Sequence, residues 1–168
     1  MKFKLLAVAA LSALAVGAQA ADENIDWGNH GDLQVAAILH NTPGAFTDTI
    51  TFSIPGLSDI ASTTVANNLL SVLNLDGGSV SLYQEAGATD NLLGQYNFDG
   101  TTGSSWHTLA GLTGGSYYYQ ITGNATGSTG AFYSITSSVT PVPEPETYAM
   151  LLAGLGVVGS LYRRRKTS

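Results

Sequence analysis

From residue 33 onward the chain alternates apolar and polar positions in short bursts. The clearest is 46–54. Phe46, Asp48, Ile50, Phe52 and Ile54 fall on one face, and Thr47, Thr49, Thr51 and Ser53 on the other. A period of two is that of a half-buried strand, and threonine suits its outer face. Asp48 interrupts the inward row. An unpaired buried carboxylate is costly, so the pattern places Asp48 at a rim, bonded to backbone N–H groups or a bound ion. The same reading gives strands over 33–40, 79–84, 92–98, 116–122 and 131–139. Two more fall within 57–75, with a helix over 65–73 as the alternative. Pro55-Gly56, Asp76-Gly77-Gly78, 87–90 and Gly114-Gly115 read as turns. Residues 22–32 read as a polar loop packed by Trp27. About eight short strands with Gly-rich turns predict an all-β fold, an antiparallel β-sandwich or jelly roll.

Two apolar stretches do not alternate, and they flank this domain. Near the start, Lys2 and Lys4 precede an apolar run over 5–16, followed by Ala18-Gln19-Ala20. This is the layout of a secretory signal peptide, 1–20, exported by the Sec translocon and cleaved between Ala20 and Ala21. After the domain (21–140) comes a linker, 141–147, containing Pro143-Glu144-Pro145. Two prolines in three residues predict an extended, exposed segment. The uncharged run 148–162 predicts a transmembrane helix, flanked by Tyr148 and Tyr162. At helical rise it measures about 22 Å against a ~30 Å hydrocarbon core, so snorkelling side chains and local thinning have to make up the difference. The tail 163–168 carries Arg163, Arg164, Arg165 and Lys166, which are expected to stay cytoplasmic.

Charge changes the picture of the domain. All six basic residues lie in the two flanking segments, and the net charge of −6 hides ten acids between residues 21 and 142 with no Lys or Arg among them. Such a domain is a poor partner for nucleic acid or an anionic surface. Internal salt bridges are not expected, so packing, hydrogen bonds or metal ions should hold it. There is no cysteine, which excludes disulfides and thiol chemistry.

A short motif, an apolar helix and a basic cluster in that order look like a C-terminal sorting tag. With Pro143-Glu144-Pro145 as the motif, residues 142–166 resemble the PEP-CTERM domain of Gram-negative bacteria. A sortase tag would need a Leu-Pro-x-Thr-Gly-like motif, which is absent, and a GPI signal ends in its apolar tail. Phe46, Asp48 and Phe52 resemble the Phe-x-Asp-x-Phe signature of one PEP-CTERM subgroup, with Ile50 at the intervening position. The resemblance implies processing by an exosortase-type enzyme. It also implies a transient inner-membrane anchor, then the outer surface or matrix, in an exopolysaccharide or biofilm setting.

Other chemistry has less support. Ser105-Trp106-His107 holds a Ser and a His, but no Gly-x-Ser-x-Gly elbow exists. An enzyme is not expected. A hydrolase would need a pocket joining His107 to a carboxylate. His30, His40 and His107 read as scattered loop or strand-end residues. Carboxylates could hold Ca²⁺, yet there is no Asp-x-Asp-x-Asp-Gly loop, and no cofactor is expected. Tyr117, Tyr118, Tyr119, Phe132 and Tyr133 could instead form a sugar-stacking platform, which keeps a carbohydrate-binding module as the alternative to a structural surface protein. Aromatic residues are ordinary strand formers, so core packing is their default role.

Overall fold

The computed structural model describes residues 20–143 and 145–166. The expected signal peptide, including Ala18, lies outside the described residues except for Ala20. Nine strands follow: β1 (Asn24–Asn29), β2 (Leu33–His40), β3 (Gly44–Ile54), β4 (Ser58–Ala66), β5 (Leu75–Gln84), β6 (Asn91–Phe98), β7 (His107–Leu112), β8 (Gly115–Ala125) and β9 (Ala131–Pro141). One α-helix, α1 (Pro145–Lys166), follows them among the described residues. The strands form a five-stranded sheet, β1-β3-β8-β5-β6, and a four-stranded sheet, β2-β9-β4-β7. Their inner faces share one core, with Ile50, Ile121, Tyr133 and Ile135 fully enclosed. This is the β-sandwich that the alternating pattern predicts. All pairs are antiparallel except β1 with β3, which is parallel.

The alternation of β3 is realised in full. Its odd-face threonines and serine are exposed or half-buried, while Phe46, Asp48, Ile50, Phe52 and Ile54 are buried. Four expectations need correction. The 22–32 segment is not simply a loop: β1 pairs with β3 from Asn24 to Asn29, bulging where Gly28 takes φ +61°. Residues 57–75 hold one strand, β4, then an irregular loop bridged at Leu69 and Leu73, and no helix. Asp76-Gly77-Gly78 is not a hairpin turn. It is a bulge within β5, where three steps from Asp76 to Ser79 oppose two on β8. Residues 107–112, where no strand is predicted, form the edge strand β7.

The two sheets are also tied through polar side chains. Tyr119 of β8 meets Ser137 of β9 at 2.9 Å. Tyr96 of β6 donates to Ser62 of β4 at 3.1 Å and lies 2.9 Å from the Thr64 hydroxyl. Tyr133 of β9 donates to Asp48 of β3 at 2.5 Å. Tyrosine suits this job, because its ring fills the core while its hydroxyl reaches across to a partner. Among the described residues no buried side-chain N or O atom lacks a partner.

Candidate functional site

The sorting segment begins where the sandwich ends. β9 runs to Pro141, and the next residue, Val142, donates its backbone N–H to the Leu57 carbonyl at 3.0 Å. Pro143 is exposed, and Glu144 lies outside the described residues. Pro145 does not continue the extended linker. It opens α1, where a missing N–H and a fixed φ are tolerated. The helix runs on through Lys166, so the basic cluster is its last turn rather than a separate tail; residues 167 and 168 lie outside the described residues.

Much of the apolar surface of α1 is exposed. Met150, Leu152 and Val158 are all more than half exposed, and so are Tyr148 and Tyr162 at the ends of the run. The expected transmembrane helix over 148–162 nevertheless needs correction: among the described residues no helix is long and apolar enough to cross a membrane. The apolar run is too short, and the helix turns that lengthen α1 are charged, with Glu146 at one end and the arginines at the other.

Inside the sandwich, Asp48 is not at a rim. It is fully buried and fully used. Its Oδ1 accepts the Glu23 backbone N–H at 2.7 Å, and its Oδ2 accepts the Tyr133 hydroxyl and faces His40 Nε2 at 2.8 Å. His40 Nδ1 lies 3.1 Å from the Ala21 carbonyl, which can only accept. With Nδ1 donating, one further proton lies between Nε2 and Asp48, either as an imidazolium–carboxylate pair or as a neutral pair. The expectation of no internal ion pair therefore overlooked histidine. The His40 ring stacks on Phe46 with centroids 3.9 Å apart. Burial, then the Asp48 charge, raises the Tyr133 phenol well above its ordinary range, so it remains a donor.

The segment ahead of β1 is held at the same end of β3. Asp22 Oδ1 accepts the Thr47 N–H at 2.7 Å, and Ala20, itself buried, donates its N–H to Ala45 at 3.0 Å. Phe46 and Phe52, the other residues of the family-like motif, line the same inner face. The motif is thus a core element that clamps β2, β9 and the N-terminal segment onto β3.

The remaining candidates separate. His30 is buried between Ser137, 2.9 Å from Nε2, and the Gly31 carbonyl, 2.6 Å from Nδ1. Burial lowers its pKa, and the Gly31 bond partly offsets this. His107 stacks on Tyr96 at 3.9 Å and lines a cavity of about 290 Å³ between β6 and β7, with Ser62, Trp106, Leu109 and Tyr119. No carboxylate lines that cavity, so the arrangement a hydrolase would need is not formed. Among the described residues no three His, Asp or Glu gather to hold a metal ion. Several acids instead cap backbone N–H groups, as Asp59 does for Gly111 at 2.8 Å and Asp99 for Thr101 at 2.7 Å.

The five-residue aromatic platform does not exist as a surface. Tyr117, Tyr119 and Tyr133 are core residues. Tyr118 and Phe132 are half-buried on different sheets. Tyr118 stacks on Tyr83 at 5.0 Å and donates to Asp90 at 3.0 Å. Burial, then the Asp90 bond and charge, pushes its pKa up to about 12.

Sequence reasoning missed the partners of Asp48. The signal was available, because the alternation of β2 puts Ala36, Ile38 and His40 on its inner face. His40 and Asp48 were then the inward polar residues of consecutive strands.

The fold and the tail together define a β-sandwich protein bearing a C-terminal sorting segment. Residues 141–166 match the PEP-CTERM protein-sorting motif, and the chain is a PEP-CTERM sorting domain-containing protein. That motif marks it as exported and processed at a membrane by an exosortase-type enzyme. No curated protein matches the chain. Solved structures resemble the sandwich distantly. The pre-peptidase C-terminal domain of collagenase from Bacillus anthracis is 15% identical, with a TM-score of 0.44, over 71% of this chain and 97% of that one. PliG from Aeromonas hydrophila, a periplasmic inhibitor of g-type lysozyme, is 12% identical, with a TM-score of 0.43, over 71% of this chain and 100% of that one. TmCBM61 in complex with β-1,4-galactotriose is 10% identical, with a TM-score of 0.39, over 66% of this chain and 83% of that one.

Proposed function

We propose that the chain is a non-enzymatic surface or matrix protein that sheds both flanking segments. The Sec translocon exports it, and cleavage between Ala20 and Ala21 removes residues 1–20. An exosortase-type enzyme reads Pro143-Glu144-Pro145 at the inner membrane of a Gram-negative cell. The sandwich then passes to the outer surface or the extracellular matrix. The exopolysaccharide or biofilm setting rests on the PEP-CTERM resemblance, and membership of the Phe-x-Asp-x-Phe subgroup on Phe46, Asp48 and Phe52.

One observation carries the reading. The matched motif begins at the end of β9, and the last residue of the buried core cluster is Val139, ahead of it. Cutting there leaves the core untouched. A non-enzymatic role fits the placing of the reactive residues: the His40–Asp48 pair is sealed in the core, and the residues lining the cavity beside His107 include no carboxylate.

The test separates chemistry from position. Glu144 offers one negative charge to a charge-assisted bond with a basic residue of the processing enzyme. Glu144→Gln keeps the shape and removes the charge. The precursor is expected to accumulate in the membrane fraction, while export and folding stay as in the parent, by immunoblot of fractionated cells. Release of Glu144→Gln at the parent rate would mean that the glutamate is not read.

A further inference from the structure

A two-sheet sandwich has four edge strands, here β1 and β6 on one sheet and β2 and β7 on the other. Edges with free N–H and C=O groups invite another strand, and proteins blunt them with bulges, charge or proline. Three of the four are blunted in the same way. In β1, three steps from Asp26 to Asn29 oppose two on β3. In β6, two steps from Gly94 to Leu92 oppose one on β5. In β7, three steps from Leu112 to Leu109 oppose two on β4. Each of these edges carries one extra residue that kinks it.

β2 has no such device. Its eight residues pair with β9 in unbroken register, Leu33 with Ser138 through His40 with Ala131. It contains no proline and no acid, and its one ionisable residue, His40, is buried. Among the described residues no strand lies on its other side. Its outer face carries Leu33, Val35 and Leu39, exposed by 60%, 57% and 55%.

We propose that β2 is a self-pairing edge. Two copies join their four-stranded sheets antiparallel, about a two-fold axis at Ala36, into one sheet with four strands from each copy. The occupant follows from charge and register. The domain is acidic and lacks Lys and Arg, so most of its surface repels a second copy, whereas the β2 strip is free of charge. Directly opposed residues in an antiparallel pair share a face. An axis at Ala36 sets Leu33 against Leu39 of the second copy and Val35 against Ala37. The outer row then continues across the axis with every member apolar, and the interface is isologous, as a closed dimer requires.

The test uses the full chain in detergent, by sedimentation with the detergent mass accounted for, across a dilution series. The parent chain is expected to show twice the protein mass of Val35→Lys, an exposed-face substitution of the kind that protects natural edges. Circular dichroism spectra should be alike. Because the chain has no cysteine, register is read separately. Val35→Cys mixed with Ala37→Cys should cross-link faster than either variant alone. A parent that is monomeric throughout, as it would be if this edge waits for a strand of another protein, overturns the proposal. So does association that Val35→Lys leaves unchanged, which would assign it to α1, or equal cross-linking in all three samples.

Discussion

Asp48 accepts hydrogen bonds from three parts of the chain, so its removal strands more than one partner. Asp48→Ala would leave the Glu23 N–H, the Tyr133 hydroxyl and His40 Nε2 without their acceptor in a site closed to water. Breaking a buried pair from one side costs about 3–5 kcal/mol. Urea titration should therefore show a much lower midpoint for Asp48→Ala, with Asp48→Asn between it and the parent, since Asn keeps one oxygen for the Glu23 N–H. An unchanged midpoint for Asp48→Ala would mean that the cluster contributes nothing to stability. At this scale the inward direction of Asp48 was legible from a period of two. Its depth was not. The rim was inferred from the cost of a lone buried carboxylate, and the carboxylate is not alone: its partners come from strands 8 and 85 residues distant in sequence. Contacts at that separation leave no local trace.

Elements with strict alternation, β2, β3 and β9, were legible almost to their ends because one face of each meets the core. β1 was not, because Asp26, Gly28 and Asn29 break any period, and the strand exists through its parallel pairing with β3. Glycine misled in both directions. Gly77-Gly78 has the composition of a turn but forms a bulge, whereas Gly130 is required where the loop between β8 and β9 passes the end of β2. There φ is +108°, and an added Cβ would meet the His40 carbonyl oxygen at 1.8 Å. Backbone cannot yield as a flexible side chain can, so Gly130→Ala must displace the loop or the end of β2. The expected cost exceeds the ~1 kcal/mol scale of ordinary glycine replacements. Thermal melting of Gly130→Ala beside Gly87→Ala, whose Cβ site is open but whose φ is also positive, separates the clash from backbone strain. Equal shifts would rule the clash out.

Across the whole molecule, charge and architecture divide at the same places. The sandwich holds ten acids and no Lys or Arg, and the flanking segments hold all six basic residues. The sandwich closes its core with residues that end at β9, and no described residue of α1 belongs to that core cluster. The sorting tail was legible in sequence because it is a linear signal, carried by adjacent residues rather than by a folded surface. Its helical limits were less so, since the prolines suggest an extended linker while Pro145 serves as a helix start. The central claim is that both ends are addresses and the sandwich is the delivered product. The most direct test is intact-mass and terminal-peptide mass spectrometry of the protein recovered from the cell surface and medium. The account predicts an N-terminus at Ala21 and a C-terminus near Pro143-Glu144-Pro145, with residues 146–168 absent. Surface or released protein that still carries Arg163, Arg164 and Arg165 would contradict it.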